Sequence, residues 1–242
     1  MKEIKPHTHR ERLEAARRLI SIIRKKLGSN LIAVAACGSF ARNKDIEYSD
    51  LELVAFVKKL PQTPWEIRKI VDGLLIVVVV ETKDSYIRKY LEVSDVWYAS
   101  GSERLSPVLN KKFVQKFMNF KPEKVKEKCI KQVKSRFYQY QEITAKTLNA
   151  ILEKNREGFP IIFHQMIKEL LIILSYLNQT PYTTLGSYVS EARKFALKPD
   201  GFDQLVEISS DGRFGHWQAL KQLVENVFSD MEQMIVKRQI KM

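Results

Sequence analysis

The chain has 242 residues, 45% apolar and 10% aromatic, enough for a sizeable core and for two modest domains. Its longest apolar run, Leu74 to Val80, is far short of the roughly 20 residues a membrane span needs. Cys37 and Cys129 are too few for a disulfide framework, and Lys2, Glu3, Lys5, Arg10, Glu11 and Arg12 leave no apolar signal-peptide core. Membrane-spanning, disordered and disulfide-stapled classes are thereby excluded and a cytoplasmic chain is expected, while the net charge of +13 favours polyanionic partners such as nucleotide phosphates, nucleic acid or an anionic surface.

Leu13, Ala16, Ile20, Ile23 and Leu27 recur at helical spacing and Gly28 follows as a stop, so residues 10–27 read as an amphipathic helix. Leu31 to Cys37 reads as a buried strand and, after a break at Gly38-Ser39, Asp50 to Val57 as a second. Ile67 to Val71 and Leu74 to Val80 bracket Asp72-Gly73, the strongest short hairpin signal. Thr82 to Val93 predicts a helix, Val96 to Leu105 a strand and turn, and Asn110 to Met118 a short helix. From Pro122, a good first helical residue, the texture changes to long helices over 122–154, 160–177, 184–197 and 214–237.

The change of period near Phe120-Lys121-Pro122 predicts two domains, 1–120 of mixed α and β structure and 121–242 as a helical bundle. The fold class is α+β, a mixed β-sheet domain with flanking helices followed by a C-terminal helical bundle. Residues 111–136 carry ten basic side chains against Glu123 and Glu127, a run that reads as the solvated face of a helix.

The chemistry concentrates in Gly38-Ser39-Phe40-Ala41-Arg42 and Tyr48-Ser49-Asp50-Leu51-Glu52-Leu53. On a strand, residues i and i+2 share a face, so Asp50 and Glu52 project side by side while Leu51 and Leu53 go to the core. Two carboxylates on one face repel each other unless solvent or a cation intervenes, and hard oxygen ligands of this kind suit Mg²⁺ (or Mn²⁺) with triphosphate oxygens completing its shell. Gly38 lets the backbone approach a phosphate, and the Ser39 hydroxyl with the amides of a following helix start can donate to it. Taken singly, each piece is also an ordinary edge strand or turn.

Together they resemble the nucleotidyltransferase superfamily, and within it the kanamycin nucleotidyltransferases. That pattern of Gly-Ser, a basic residue shortly after, and Tyr-Ser-Asp-apolar-Glu is matched by Gly38, Ser39, Arg42, Tyr48, Ser49, Asp50 and Glu52. Tyr182-Thr183-Thr184 resembles a family Tyr-Thr-Thr, and counting back from it puts the family's helical Glu and the Lys four residues later on Glu142 and Lys146. The resemblance implies that Gly38, Ser39, Arg42, Ser49 and Lys146 bind the nucleoside triphosphate, Lys146 alternatively tuning the base at Glu142, and that Asp50 and Glu52 bind the metal. It further implies that Glu142 is the general base of a homodimer with a shared active site. Without it, Glu142 and Lys146 are a common i, i+4 surface pair.

One departure is that a third carboxylate, usual on the strand after the hairpin, falls on Val78 when counted from Gly73. Glu81, three residues on, is the nearest acid and is expected on the opposite face. His7 and His9 read as a mobile terminus, and His164 and His216 as packing or surface residues, so no zinc site is expected. Trp65, Trp97, Phe137, Tyr138 and Tyr140 read as core aromatics rather than a base-stacking platform. The function implied is transfer of a nucleoside monophosphate from Mg-NTP to an acceptor hydroxyl, on a small molecule or a nucleic acid but not an aminoglycoside. The alternative is a catalytically weak or inactive nucleotide- or nucleic-acid-binding regulatory module on the same fold.

Overall fold

Thr8 decides where the first helix begins. In the computed structural model, which describes residues 3–63, 65–101, 105–117, 120–212 and 214–238, its side chain accepts from the amide of Glu11, whose carboxylate accepts in return from Thr8 N–H at 2.7 Å. This reciprocal cap starts α1 (His9–Leu27), and a cap of this kind contributes about 1 kcal/mol. Ala15, Ala16, Leu19 and Ile23 recur on one face of α1 and are buried against the sheet.

Five strands follow: β1 (Leu31–Ala36), β2 (Leu51–Val57), β3 (Ile67–Val71), β4 (Leu74–Glu81) and β5 (Ser106–Leu109), in the spatial order β3-β4-β2-β1-β5. The β2–β4 pair is parallel and the others are antiparallel. The expected hairpin joins β3 to β4, with φ of 53° at Asp72 and 86° at Gly73, the two positive values that a two-residue turn matching strand twist requires. Alternation then sorts the side chains: Val34, Ala36, Leu51, Leu53, Ile76 and Val78 join α1, whereas Ala33, Ala35, Val54 and Phe56 meet Tyr86, Val114 and Phe117 on the other face.

The connections differ from expectation in three places. The strand expected over Val96 to Leu105 forms instead at Ser106–Leu109, where Pro107 is tolerated because β5 is an edge strand. Trp97–Ala99 is only a single tight turn, with Trp97 buried. The helix expected over Thr82 to Val93 is a short α3 (Lys83–Tyr86) widening into a π turn at Ile87–Leu91. The short helix expected from Asn110 is α4 (Lys111–Val114), running into a 3₁₀ turn at Gln115–Phe117; Met118 lies outside the described residues.

The second unit is helical: α5 (Val125–Leu152), α6 (Phe159–Leu177), α7 (Tyr188–Ala192), α8 (Phe202–Asp211) and α9 (Trp217–Lys237). α5 begins at Val125 rather than Pro122, because Lys124 is left-handed at φ 51° and caps it from outside. The helix expected over 184–197 is confined to a 3₁₀ turn and the five residues of α7. Phe137, Tyr140, Phe163, Leu170, Val224 and Met231 make the core of this unit. α6 is long and apolar enough to cross a membrane, which the apolar run at 74–80 did not reveal; 61% of its apolar window is buried inside the protein.

The chain divides into Met1–Glu92 with Ser102–Glu123, and Val93–Gly101 with Lys124–Met242. Residues 93–101, expected with the sheet, thus count with the helices, for a packing reason. Trp97 stacks on Tyr176, Tyr98 meets Tyr188 edge-on, and the Tyr176 hydroxyl donates to Ser94 O at 2.7 Å.

Candidate active site

In the sheet unit the Gly-Ser motif forms α2 (Gly38–Ala41), a single turn entered from β1 through the extended Cys37. Gly38 has φ +66°, and a Cβ there would collide with Oε2 of Glu52. The close approach follows from pairing: Ala36 lies opposite Leu53, and Cys37 N–H donates to Glu52 O at 3.1 Å. Only glycine meets both demands, the left-handed backbone and the space for a carboxylate.

Ser39 is half-buried, and its carbonyl accepts from the amides of Arg42 and Lys44 at 3.2 and 3.0 Å. Arg42, also half-buried, closes the turn as its C-cap. With four residues, α2 is too short to supply the aligned dipole of the helix start expected there.

The loop from Asn43 to Asp50 is fixed by a residue that sequence reading passed over. Arg12 on α1 is fully buried and donates to Ser49 O (2.9 Å), His7 O (2.9 Å), Asp45 Oδ2 (3.0 Å), Ile46 O (2.7 Å) and Glu47 O (2.6 Å). Asp45, itself buried, also takes His9 Nδ1 at 2.7 Å, and the His9 ring stacks on Phe40 at 4.7 Å. His9 is therefore built in rather than part of a mobile terminus; so is His7, whose amide donates to Glu47 O at 2.8 Å. Ser49 Oγ accepts from Ile46 N–H at 2.9 Å, which closes the loop just before Asp50. Asp50 is half-buried, and among the described residues its carboxylate has no hydrogen bond or ion pair.

On β4 the register corrects the count from the hairpin. Val77 lies opposite Glu52 and Val78 opposite Leu53, so Val78 is on the α1 face, fully buried, and lines no site. Glu81 shares the face of Val77 and hence of Glu52, but it pairs with Phe56, four residues along β2. Its buried carboxylate is taken by the Ser85 hydroxyl and by Lys89 Nζ at 2.6 Å. Among the described residues no group of three His, Cys, Asp or Glu side chains assembles. Two carboxylates two residues apart, one against a glycine turn and one without a partner among the described residues, fit a single hard cation.

In the helical unit Lys146 Nζ donates to Glu142 Oε1 at 2.7 Å, and both side chains are more than half exposed. Tyr138, one turn earlier, is 70% exposed, while Phe137, Tyr140 and Trp97 are core. Tyr182-Thr183-Thr184 is a structural knot. The Tyr182 hydroxyl donates to Leu171 O at 2.7 Å, and Thr183 and Ser187 donate to Glu191. Burial raises the Glu191 carboxyl, but those bonds outweigh it and hold the group below its usual range. Of the basic run, Lys121, Lys124, Lys126, Lys131 and Lys134 are exposed, whereas Arg136 pairs with Glu169 and lies over the Tyr98 ring.

A mixed sheet carrying a glycine turn and a carboxylate strand, followed by a helical unit, is the architecture these sites sit on. Residues 113–241, more than half the sequence, match the family described as KNTase C-terminal domain. The chain belongs to that family and is a kanamycin nucleotidyltransferase-like member of the nucleotidyltransferase superfamily. The matched residues contain Glu142 and Lys146 and exclude the motif at 38–52, so the two halves of the resemblance are separate observations. A nucleotidyltransferase-like protein from Exiguobacterium sibiricum 255-15 is similar in structure, with 10% identity and a TM-score of 0.48 over 93% of this chain and 74% of that one. No curated protein matches the sequence.

Proposed function

We propose that the chain is a nucleotidyltransferase that moves a nucleoside monophosphate from a nucleoside triphosphate to an acceptor hydroxyl. The observation that carries the reading is the seating of the Glu52 carboxylate against Gly38, with Asp50, whose carboxylate has no hydrogen bond or ion pair among the described residues, two residues away. The acceptor oxygen forms a bond to the α-phosphorus as the bond from that phosphorus to the bridging oxygen breaks, pyrophosphate leaves, and Glu142 takes the acceptor's proton. Asp50 and Glu52 would hold the metal, Mg²⁺ or Mn²⁺, which when bound supplies positive charge against the triphosphate. Ser39 and the amides around it donate to phosphate oxygens, Arg42 adds a cation beside them, and Ser49 keeps the loop closed so that Asp50 stays in place. Lys146 positions the Glu142 side chain through their 2.7 Å ion pair.

The same reading takes the enzyme as a cytoplasmic homodimer in which Glu142 of one subunit serves the metal face of the other. The acceptor is anionic or neutral, because a net +13 field repels a polycation. Val77 opposite Glu52 favours a second reading, a nucleotide-binding regulator with little turnover, since no third acid stands at that register.

Calorimetry with each NTP, with and without Mg²⁺, tests the first reading. Asp50→Asn and Glu52→Gln should each remove the Mg²⁺-dependent affinity, with the stability of Asp50→Asn equal or higher because like-charge repulsion is lost. Unchanged Mg²⁺-dependent binding in both variants would sink the assignment. Binding by the wild type without pyrophosphate release, across a range of acceptors, favours the regulator.

A further inference from the structure

We infer that Arg12, a residue on α1 outside the motif, is the positioning residue for the Asp50 carboxylate, and that with His9 it ties the Gly38–Ala41 turn to the same frame. The inference rests on Asp50 being a metal ligand, as proposed above. A guanidinium has five N–H donors, and the Arg12 side chain makes five hydrogen bonds, with none facing solvent. Four of the acceptors belong to residues 45–49, the segment leading directly into Asp50.

Charge neutralisation alone would need only Asp45. The three further bonds to Ile46, Glu47 and Ser49 go to main-chain carbonyls, and they specify the path of the loop rather than balance a charge. A buried cation is tolerated only when its donors are satisfied, so any other loop path leaves N–H groups stranded. The bond to Ser49 O matters most, because that carbonyl belongs to the peptide that carries Asp50 N–H. Holding the peptide plane sets the direction in which the Asp50 side chain leaves the backbone.

His9 lies three residues before Arg12, on the same helical face. It bonds the second oxygen of Asp45 and stacks on Phe40, the middle of the Gly-Ser turn, at 4.7 Å and 26°. One turn of α1 thus holds both the acid loop and the turn proposed to receive phosphate. Lysine cannot replace Arg12 here, since it keeps the charge facing Asp45 but carries its donors on one atom.

The test is hydrogen exchange on the full-length chain, read at residues 45–50 and at β1 and β2, together with calorimetry of ATP with and without Mg²⁺. In Arg12→Lys, exchange at 45–50 should rise about tenfold or more while β1 and β2 stay protected. The Mg²⁺-dependent part of ATP affinity should fall about tenfold or more, the Mg²⁺-independent part holding, because only the carboxylate has been misplaced. A general loss of stability would instead raise exchange throughout the sheet and weaken both parts of the affinity, and that result overturns the inference, as does unchanged protection at 45–50.

Should Arg12→Lys fail to fold, His9→Ala removes only a half-exposed ring. Faster exchange at 38–42 and 45 is then expected, and no change there counts against the shared frame. If the wild type binds no Mg-ATP, the functional reading fails, while the exchange measurement still decides whether Arg12 fixes the loop.

Discussion

Lys89 Nζ stands 2.6 Å from Glu81 Oε1, so the one acid of β4 is already held by a cation and by the Ser85 hydroxyl. Glu81→Gln should therefore lower stability by about 1–3 kcal/mol, the cost of a weakened buried hydrogen-bond pair, and leave Mg²⁺-dependent nucleotide affinity unchanged. Denaturant unfolding and calorimetry read the two effects separately. A stable variant that has lost Mg²⁺-dependent affinity would make Glu81 the third metal ligand.

Gly38→Ala should cost about 1–2 kcal/mol for its left-handed backbone and, by displacing Glu52, should also abolish Mg²⁺-dependent binding. Gly28→Ala is the control. It has a similar φ of +51° but nothing within 4 Å of the added carbon, so it should lose stability and keep nucleotide affinity. Equal nucleotide affinity in the two variants would remove the argument from the Gly38–Glu52 approach.

Glu142→Gln should preserve nucleotide affinity and reduce turnover by about 10² to 10⁴, the usual worth of a general base. If the site is shared in a homodimer, mixing Asp50→Asn with Glu142→Gln under subunit exchange restores part of the activity. Wild-type turnover in the single variant would return Glu142 to the role of a helix-surface residue, and no recovery in confirmed heterodimers would count against the shared site.

Kanamycin should not be modified above background. Each ammonium of a polycation must exchange water for a carboxylate partner. Here the residue one turn before Glu142 is the exposed Tyr138, and Val78, being fully buried, offers nothing to a pocket. Efficient transfer to kanamycin, followed by mass spectrometry of the product, would overturn this.

Where local rules dominate, the sequence was readable. The Gly28 stop ends α1 where the periodicity predicts, though the Thr8 cap that starts it goes unread, and the Asp72-Gly73 turn fixes the β3–β4 register through its backbone angles alone. Gly38 and Glu52 stand out in the sequence by their motif spacing alone, and their meeting follows from the pairing of the adjacent strands β1 and β2. Position on β4 was misread by one residue: counting from Gly73 gives Val78, but the parallel pairing with β2 aligns Val77 with Glu52, and one residue reverses the face. Arg12 was invisible for another reason. Three of its acceptors in the loop are main-chain carbonyls, which no residue type advertises, and in an amphipathic helix its charge suggests solvent.

The path of the chain through residues 93–101 bears on how the protein is made and how it can be cut. Those residues count with the helices, yet β5 at 106–109 returns to pair with β1, so synthesis must pass Leu109 before the fifth strand can dock. A fragment ending at residue 92 would leave β1 with a row of bare amides and carbonyls, an invitation to pair with another chain. One starting at residue 124 would lack the Trp97 and Tyr98 rings that cover Tyr176 and Tyr188. Neither half can be excised as a continuous stretch, and any attempt to trade this sheet for a relative's must carry residues 102–123 with it while leaving 93–101 behind.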